Sequence, residues 1–334
     1  MANKKYLITG ITGFVGSHLT NLLIEKGENV YGLFRGESSP ELFCDIVPAI
    51  NREKITVLRG DIRNKQDMDT IFRTEKFDGV FHFAAQSNSP LSVKEPVSTF
   101  EINTGGTLNL VDAIRRFQPE CALVYASSGE VYGRVTEAQQ PITETTNLAP
   151  NTPYGVSKLA SEIILKERAN SLGLKIIIGR GFATVGPGRP KEFSISSDAY
   201  QITRIAKGLQ ERVIDIGNIK SKRGLLDIRD CVKAYSLLME TIIRDPSLKG
   251  ESYNIASEFS NEIETYLDMM LEIKGLKGRV EKRIDDSKLR NGTTPSVQLC
   301  DISKLKSLTE WQPTIPQIQT LTELLDYWDK KLTN

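Results

Sequence analysis

A chain of 334 residues is longer than one small core holds, so two lobes are expected. A net charge of +1 leaves no basic excess that would argue for nucleic acid as the main partner. Four scattered cysteines without a Cys-x-x-Cys pair, and only two histidines, speak against a disulfide framework or a histidine-rich metal site and for a reducing, cytoplasmic compartment. The apolar run Tyr6-Leu7-Ile8 is too short for a signal-peptide core and no window approaches a membrane span, so the expectation is a soluble protein.

In chain order, the stretches Lys5 to Thr9, Asn29 to Phe34, Ile55 to Arg59, Gly79 to Phe83, Ala122 to Ser127 and Lys175 to Gly179 read as strands bounded by Gly, Asp or Ser. Helical patterns fill the gaps at Ser17 to Glu25, Phe100 to Phe117 and Tyr154 to Ser171. This alternation predicts an α/β fold: a doubly wound parallel (Rossmann) sheet with a smaller mixed α/β substrate-binding lobe. After residue 181 the loop Gly186-Pro187-Gly188-Arg189-Pro190 opens a stretch of shorter elements, and an apolar strand returns at Ser252 to Ala256. The division is therefore discontinuous: residues 1–181 plus about 224–257 for a dinucleotide domain, about 182–223 plus 258–334 for a substrate domain.

Gly10-Ile-Thr12-Gly13-Phe14-Val15-Gly16 sits where the first strand turns into the first helix. Glycines there permit a tight turn and bring backbone N–H groups against a pyrophosphate at the helix N-terminus. The second strand ends in Arg35, with Ser38 close by, where NAD-binding folds put an acid for the ribose 2′-hydroxyl. An arginine suits a 2′-phosphate, which favours NADP(H); a solvated arginine beside NAD is the alternative. Asp61, ending strand three, is a candidate for adenine or for a simple turn cap. Tyr154 and Lys158 follow the N-cap pair Thr152-Pro153 and fall one turn apart on one helix face. An ammonium beside a phenol is expected to ease its ionisation and make Tyr154 a general acid/base. Tyr327-Trp-Asp-Lys-Lys331 has the same spacing without that context and reads as accidental.

Taken in order, Gly10-x-x-Gly13-x-x-Gly16, Asp61-Ile62, His82-Phe-Ala84-Ala85, Ser127-Ser128-Gly-Glu130-Val-Tyr-Gly133, Tyr154-x-x-x-Lys158 and Gly186-Pro187 resemble the extended short-chain dehydrogenase/reductase superfamily along nearly the whole chain. The resemblance implies Tyr154 as acid/base, Lys158 also on the nicotinamide ribose, and Ser128 on the reacting sugar oxygen, against the plainer reading of Ser128 as a strand-end serine. It also implies Ile62, Ala84, Ala85 and Gln86 at the cofactor and Ser87, Arg189 and Asn218 at the substrate.

Within the superfamily, Val30-Tyr-Gly-Leu-Phe-Arg35 and Gly217-Asn218, Arg223, Asp227-Ile-Arg-Asp230-Cys-Val-Lys-Ala-Tyr235 look most like the GDP-mannose 4,6-dehydratase and GDP-4-keto-6-deoxymannose reductase group. That likeness implies a GDP-linked diphosphate sugar as partner, or a related heptose, with Arg223 and Arg290 at the diphosphate or simply solvated. The chain departs from the pattern in Arg180-Gly-Phe-Ala183, which lacks the Asn that many relatives have ahead of Gly186-Pro187, at Gly129 where glucose dehydratases have Asp, at Gly224, and at Asn291 and Thr293. Three chemistries stay open: 4-keto reduction, favoured; 4,6-dehydration with Glu130 as the C5 base; and 4-epimerisation. A cofactor-sensing regulator is a fourth reading, against which the retained Ser128, Tyr154 and Lys158 weigh. Apolar residues on several sides of the helices at Phe100 to Phe117 and Tyr154 to Ser171, among them Ile102, Leu108, Leu110, Val111, Ile163, Ile164 and Leu165, predict a homodimer through a four-helix contact.

Overall fold

Aliphatic and β-branched runs of four to seven residues become strands β1 (Lys5–Thr9), β2 (Asn29–Phe34), β3 (Thr56–Arg59), β4 (Gly79–His82), β5 (Ala122–Ser128), β6 (Ile176–Gly181) and β7 (Ser252–Ile255). The computed structural model describes residues 3–36, 40–289 and 297–333. All seven strands are parallel in one sheet, in the order β3-β2-β1-β4-β5-β6-β7. Helices cover both faces, which is why every residue of β4 and β7 is buried, the polar His82, Ser252 and Asn254 included. Strand order reverses between β1 and β4, so a crevice opens at the carboxyl ends of the strands there. The expected doubly wound α/β fold is present, with strand ends one or two residues from those read in the sequence.

The helix expected over Phe100 to Phe117 is interrupted. Pro96–Phe100 is α-helical, Glu101–Gly105 forms a π-helical turn, and Gly106–Phe117 resumes the α-helix. The wider turn aims Asn103 inward, where its side-chain amide donates to Gln86 O at 3.0 Å and Ser157 Oγ at 2.9 Å while its Oδ1 accepts from Gln86 N at 2.8 Å. Asn103 thus ties the loop after β4 to the helix Pro153–Leu172; the 3.6-residue apolar pattern gives no sign of it.

A second cluster of elements rests against the crevice. Helices Ser194–Ala206, Ile263–Ile273 and Gln317–Lys331 share an apolar core that includes Ile202, Leu267 and Leu325. Val213–Ile216 pairs with Glu281–Ile284, and Lys222–Gly224 lies between Ser260–Glu262 and Val297–Gln298. Two aspartates fasten this part to the sheet. Asp227 caps helix Ile228–Arg244 through Arg229 N at 2.8 Å and accepts from Thr320 Oγ1 at 2.7 Å. Asp230 accepts from the backbone of Thr314 at 2.9 Å and Ile315 at 3.0 Å.

Beneath the crevice lies a buried polar network. Arg180 on β6 forms an ion pair with Glu162 at 2.8 Å, both side chains 1% exposed. Glu162 also takes the hydroxyl of Ser127. Arg180 donates to Tyr132 Oη at 2.8 Å, and Tyr132 donates to Asn254 Oδ1 on β7 at 2.7 Å. Removing one member of a buried pair strands the other charge in a low-dielectric interior. Glu162→Gln is therefore expected to lower the unfolding free energy by about 3–5 kcal/mol in urea titrations, whereas a loss below ~1 kcal/mol, the scale of an exposed pair, would show that the charge is balanced elsewhere.

Candidate active site

The crevice is a continuous cleft of about 1920 Å³ between the sheet and the second cluster. Every site residue expected from the sequence borders it except Ser38 and Arg290, which lie outside the described residues, as do Asn291 and Thr293. At one end is the glycine turn. Gly10 has φ +71° and a Cβ there would meet Ala84 N at 2.6 Å; a Cβ on Gly16 would meet Gly10 O at 2.3 Å. No side chain caps helix Phe14–Glu25 and no acid occupies its first turn. Its leading amides and the positive end of its dipole are left for an anion, which fits a dinucleotide pyrophosphate.

Arg35 is exposed at the end of β2, close enough to Asp61 to favour its carboxylate. Asp61 is mainly a turn residue: it accepts from Arg63 N at 2.9 Å and pairs with the Arg63 guanidinium at 2.6 Å, which holds its carboxyl below the usual range. His82, buried under the turn, bridges Thr9 Oγ1 at 2.7 Å and Thr107 Oγ1 at 3.0 Å. Burial pushes its pKa down to about 3, so it is neutral and structural.

At the centre, helix Pro153–Leu172 starts as expected, with Thr152 Oγ1 accepting from Gly155 N at 3.0 Å. Tyr154 and Lys158 are buried at the cleft wall, which Ser128 also lines; the Ser128 hydroxyl accepts from Glu130 N at 3.2 Å. Lys158 donates to Ala126 O at 2.7 Å with its ammonium 4.8 Å from the centre of the Tyr125 ring. Here the electrostatics differ from the expectation. Burial first, then the Glu130 carboxylate, push Tyr154 up to about 12, and burial brings Lys158 down to about 7. The phenol is not eased toward ionisation: desolvation outweighs the favourable charge of Arg189, and Tyr154 carries a proton to give at neutral pH.

Glu130 is anchored by two hydroxyls, Ser89 Oγ at 3.0 Å and Thr152 Oγ1 at 2.9 Å. Ser92 Oγ accepts the Tyr154 backbone N–H at 3.1 Å. Ser89, Ser92, Asn103, Glu162 and Asp198 went unread in the sequence, where lone polar residues inside helical patterns carry no spacing signal. Toward the second cluster, the Arg189 guanidinium lies 3.6 Å from the Phe193 ring centre and 5.3 Å from that of Phe14 on the glycine turn. Ser87 and Asn218 are exposed on opposite walls; Arg223 borders the cleft from strand Lys222–Gly224. Tyr327 is remote, bonding Asp45 at 3.1 Å, which fits its reading as a chance match.

A family model described as GDP-mannose 4,6 dehydratase matches residues 7–324. The chain belongs to this family of extended short-chain dehydrogenase/reductases. It is 29% identical over 329 residues to the GDP-6-deoxy-D-mannose reductase of Pseudomonas aeruginosa, covering 98% of each chain. It is also 29% identical over 336 residues to the UDP-glucose 4-epimerase of Lacticaseibacillus casei, covering 96% of this chain and 95% of that one. The solved structure of RMD from P. aeruginosa complexed with NADPH superposes with a TM-score of 0.81 at 28% identity, over 98% of this chain and 100% of that one. The protein is a nucleotide-sugar-modifying enzyme of this family.

The family pattern and its breaks acquire physical reasons. A Cβ at Gly129 would lie 2.8 Å from the Phe182 ring, so an acid there is excluded by the chain's own Phe182. A Cβ at Gly224 would come within 3.0 Å of Phe259 O and 3.1 Å of Ser257 O. In the stretch Arg180-Gly-Phe-Ala183, Arg180 points away from the cleft into the buried network with Glu162, whereas Phe182 and Ala183 border the cleft.

Proposed function

We propose that the protein is an NADP(H)-dependent reductase of the 4-keto group of a GDP-linked 4-keto-6-deoxy-hexose or related heptose. The protonated Tyr154, sharing the cleft wall with Ser128, carries this reading. Likeness to the Pseudomonas reductase over 98% of both chains supports it. Residues 1–181 plus about 224–257 would bind the cofactor, and about 182–223 plus 258–334 the nucleotide sugar.

The amides after Gly13 would hold the pyrophosphate, Ala84, Ala85 and Gln86 would line the cofactor's path, and Arg35 with Ser38 would reach the 2′-phosphate. Bound there, NADPH supplies the hydride. Ser128 polarises the sugar carbonyl and Tyr154 gives its proton to the oxygen as negative charge grows on it. Lys158 would hold the ribose hydroxyls of the cofactor. Arg189, Arg223 and Arg290 would take the diphosphate, and Ser87 and Asn218 the rest of the substrate.

Dehydration is the second reading, favoured by Glu130 in the cleft beside Tyr154. The two part on Glu130→Gln. A reductase keeps much of its turnover in that variant and loses ~100-fold or more in Tyr154→Phe, with NADPH absorbance falling in step with added 4-keto-6-deoxy sugar nucleotide. Conversion of GDP-mannose to a keto sugar at constant 340 nm absorbance, with Glu130→Gln inactive, would establish the dehydratase instead.

Cofactor choice is tested separately. NADPH is expected to bind at least ~10-fold tighter than NADH, about 1.4 kcal/mol, within reach of one charge-assisted contact. Arg35→Asp should reverse the order in fluorescence titrations, and equal affinities in the unsubstituted protein would remove Arg35 from this role.

The homodimer is narrower in its support than the sequence pattern implied. Leu110, Val111 and Leu165 pack into the chain's own core, whereas Leu108 and Ile163 are exposed, together with Val97 and Val156 on the same group of helices. We place the contact on these exposed residues. Light scattering at micromolar concentration should give twice the chain mass, and Ile163→Lys should give monomers; a monomeric parent would overturn the assignment.

A further inference from the structure

Asp198 lies on helix Ser194–Ala206 with 5% of its surface exposed, and what is exposed faces the cleft. No described residue hydrogen-bonds its carboxyl. The cation that acts on it is Lys288, whose ammonium donates elsewhere, to Asp215 O at 2.7 Å and Ser197 Oγ at 3.5 Å. Burial outweighs Lys288 and pushes the Asp198 carboxyl up to about 7. A buried carboxyl without a partner destabilises a fold, and an apolar residue at this spot would stabilise it. Its surroundings match a ligand rather than a core: Ile216, Gly217 and Lys288 line the second-lobe end of the cleft with it, Lys288 lying against both Gly217 and Ser197.

If the cleft takes a nucleotide sugar, as proposed above, with the sugar at Tyr154 and the cofactor at the glycine turn, its base goes to this end. An ionised carboxylate only accepts hydrogen bonds. Guanine offers it two adjacent donors, N1–H and the N2 amino group. Uracil and thymine flank their single N3–H with two carbonyl oxygens that a carboxylate repels, and cytosine and adenine set their amino group beside an acceptor nitrogen. We propose that Asp198 selects the base of the substrate, accepting from N1–H and N2–H of guanine and rejecting pyrimidines.

Calorimetric titration of the full-length protein with GDP, UDP, CDP and ADP tests this. GDP should bind at least ~10-fold tighter than UDP. Asp198→Asn, which keeps size and shape, should weaken GDP at least ~10-fold, the scale of a lost charge-assisted pair, while UDP moves by less than ~3-fold and NADPH affinity holds. Asp198→Leu should lose the same preference yet melt at a higher temperature, because a stranded carboxyl is gone; a variant that merely misfolds would melt lower. GDP and UDP within ~3-fold of each other, tighter binding of CDP or ADP, or an unchanged GDP/UDP ratio in Asp198→Asn would overturn base selection while leaving the reductase reading in place. Binding of NADPH with no binding of any nucleoside diphosphate would overturn both.

Discussion

The buried ion pair between Glu162 and Arg180 is the constraint on which the active centre depends. It joins β6 to the helix that carries Tyr154 and Lys158, and through Ser127 and Tyr132 it reaches β5 and, by way of Asn254, β7. Two charges removed from water are held only because each finds a full set of partners, so the geometry admits little play. Lys158 sits one turn before Glu162 on the same helix and feels its carboxylate as the one favourable charge against desolvation. The position of the lysine and the rigidity beneath it are thus set by the same pair.

From this base the centre is assembled by short hydroxyl contacts. Thr152 both caps the helix of Tyr154 and holds Glu130; Ser92 holds the backbone of Tyr154. The π turn adds Asn103, which locks the loop carrying Gln86 to the helix at Ser157. Desolvation by this close packing is what keeps Tyr154 protonated, and a protonated phenol beside a serine hydroxyl is suited to delivering a proton to a developing alkoxide. The same packing excludes an acid at position 129, because Phe182 fills the space.

The far wall of the cleft follows a different logic. Asp227 and Asp230, the acids that give the second half its most recognisable motif, do not line the cleft; they pin the C-terminal segment to helix Ile228–Arg244. The motif therefore preserves the angle between the two parts of the chain. Asp198, with no motif around it, faces the cleft with no hydrogen-bond partner among the described residues. A residue with no use in the fold is the one best placed to answer to the ligand.

Much of the protein was legible from local pattern. Period-two and continuous apolar runs located six sheet strands and the returning β7, because a strand's burial is written in its own residues. The glycine turn, Thr152-Pro153 and the Tyr154/Lys158 spacing were legible for the same reason: each is a local backbone or helix-face requirement. What the sequence could not determine by itself depends on residues distant along the chain. Arg180 carries no sign in its own segment of its partner Glu162, 18 residues earlier, which buries it. Lys158 read as an activator of Tyr154 until the depth of both side chains was known, since desolvation depends on everything packed around a group. Gly129 read as a missing acid until Phe182 was found against it. Pattern reports what a residue requires of its own segment; only the tertiary structure decides which distant group meets it, how dry that meeting is, and therefore which protons and charges remain for chemistry.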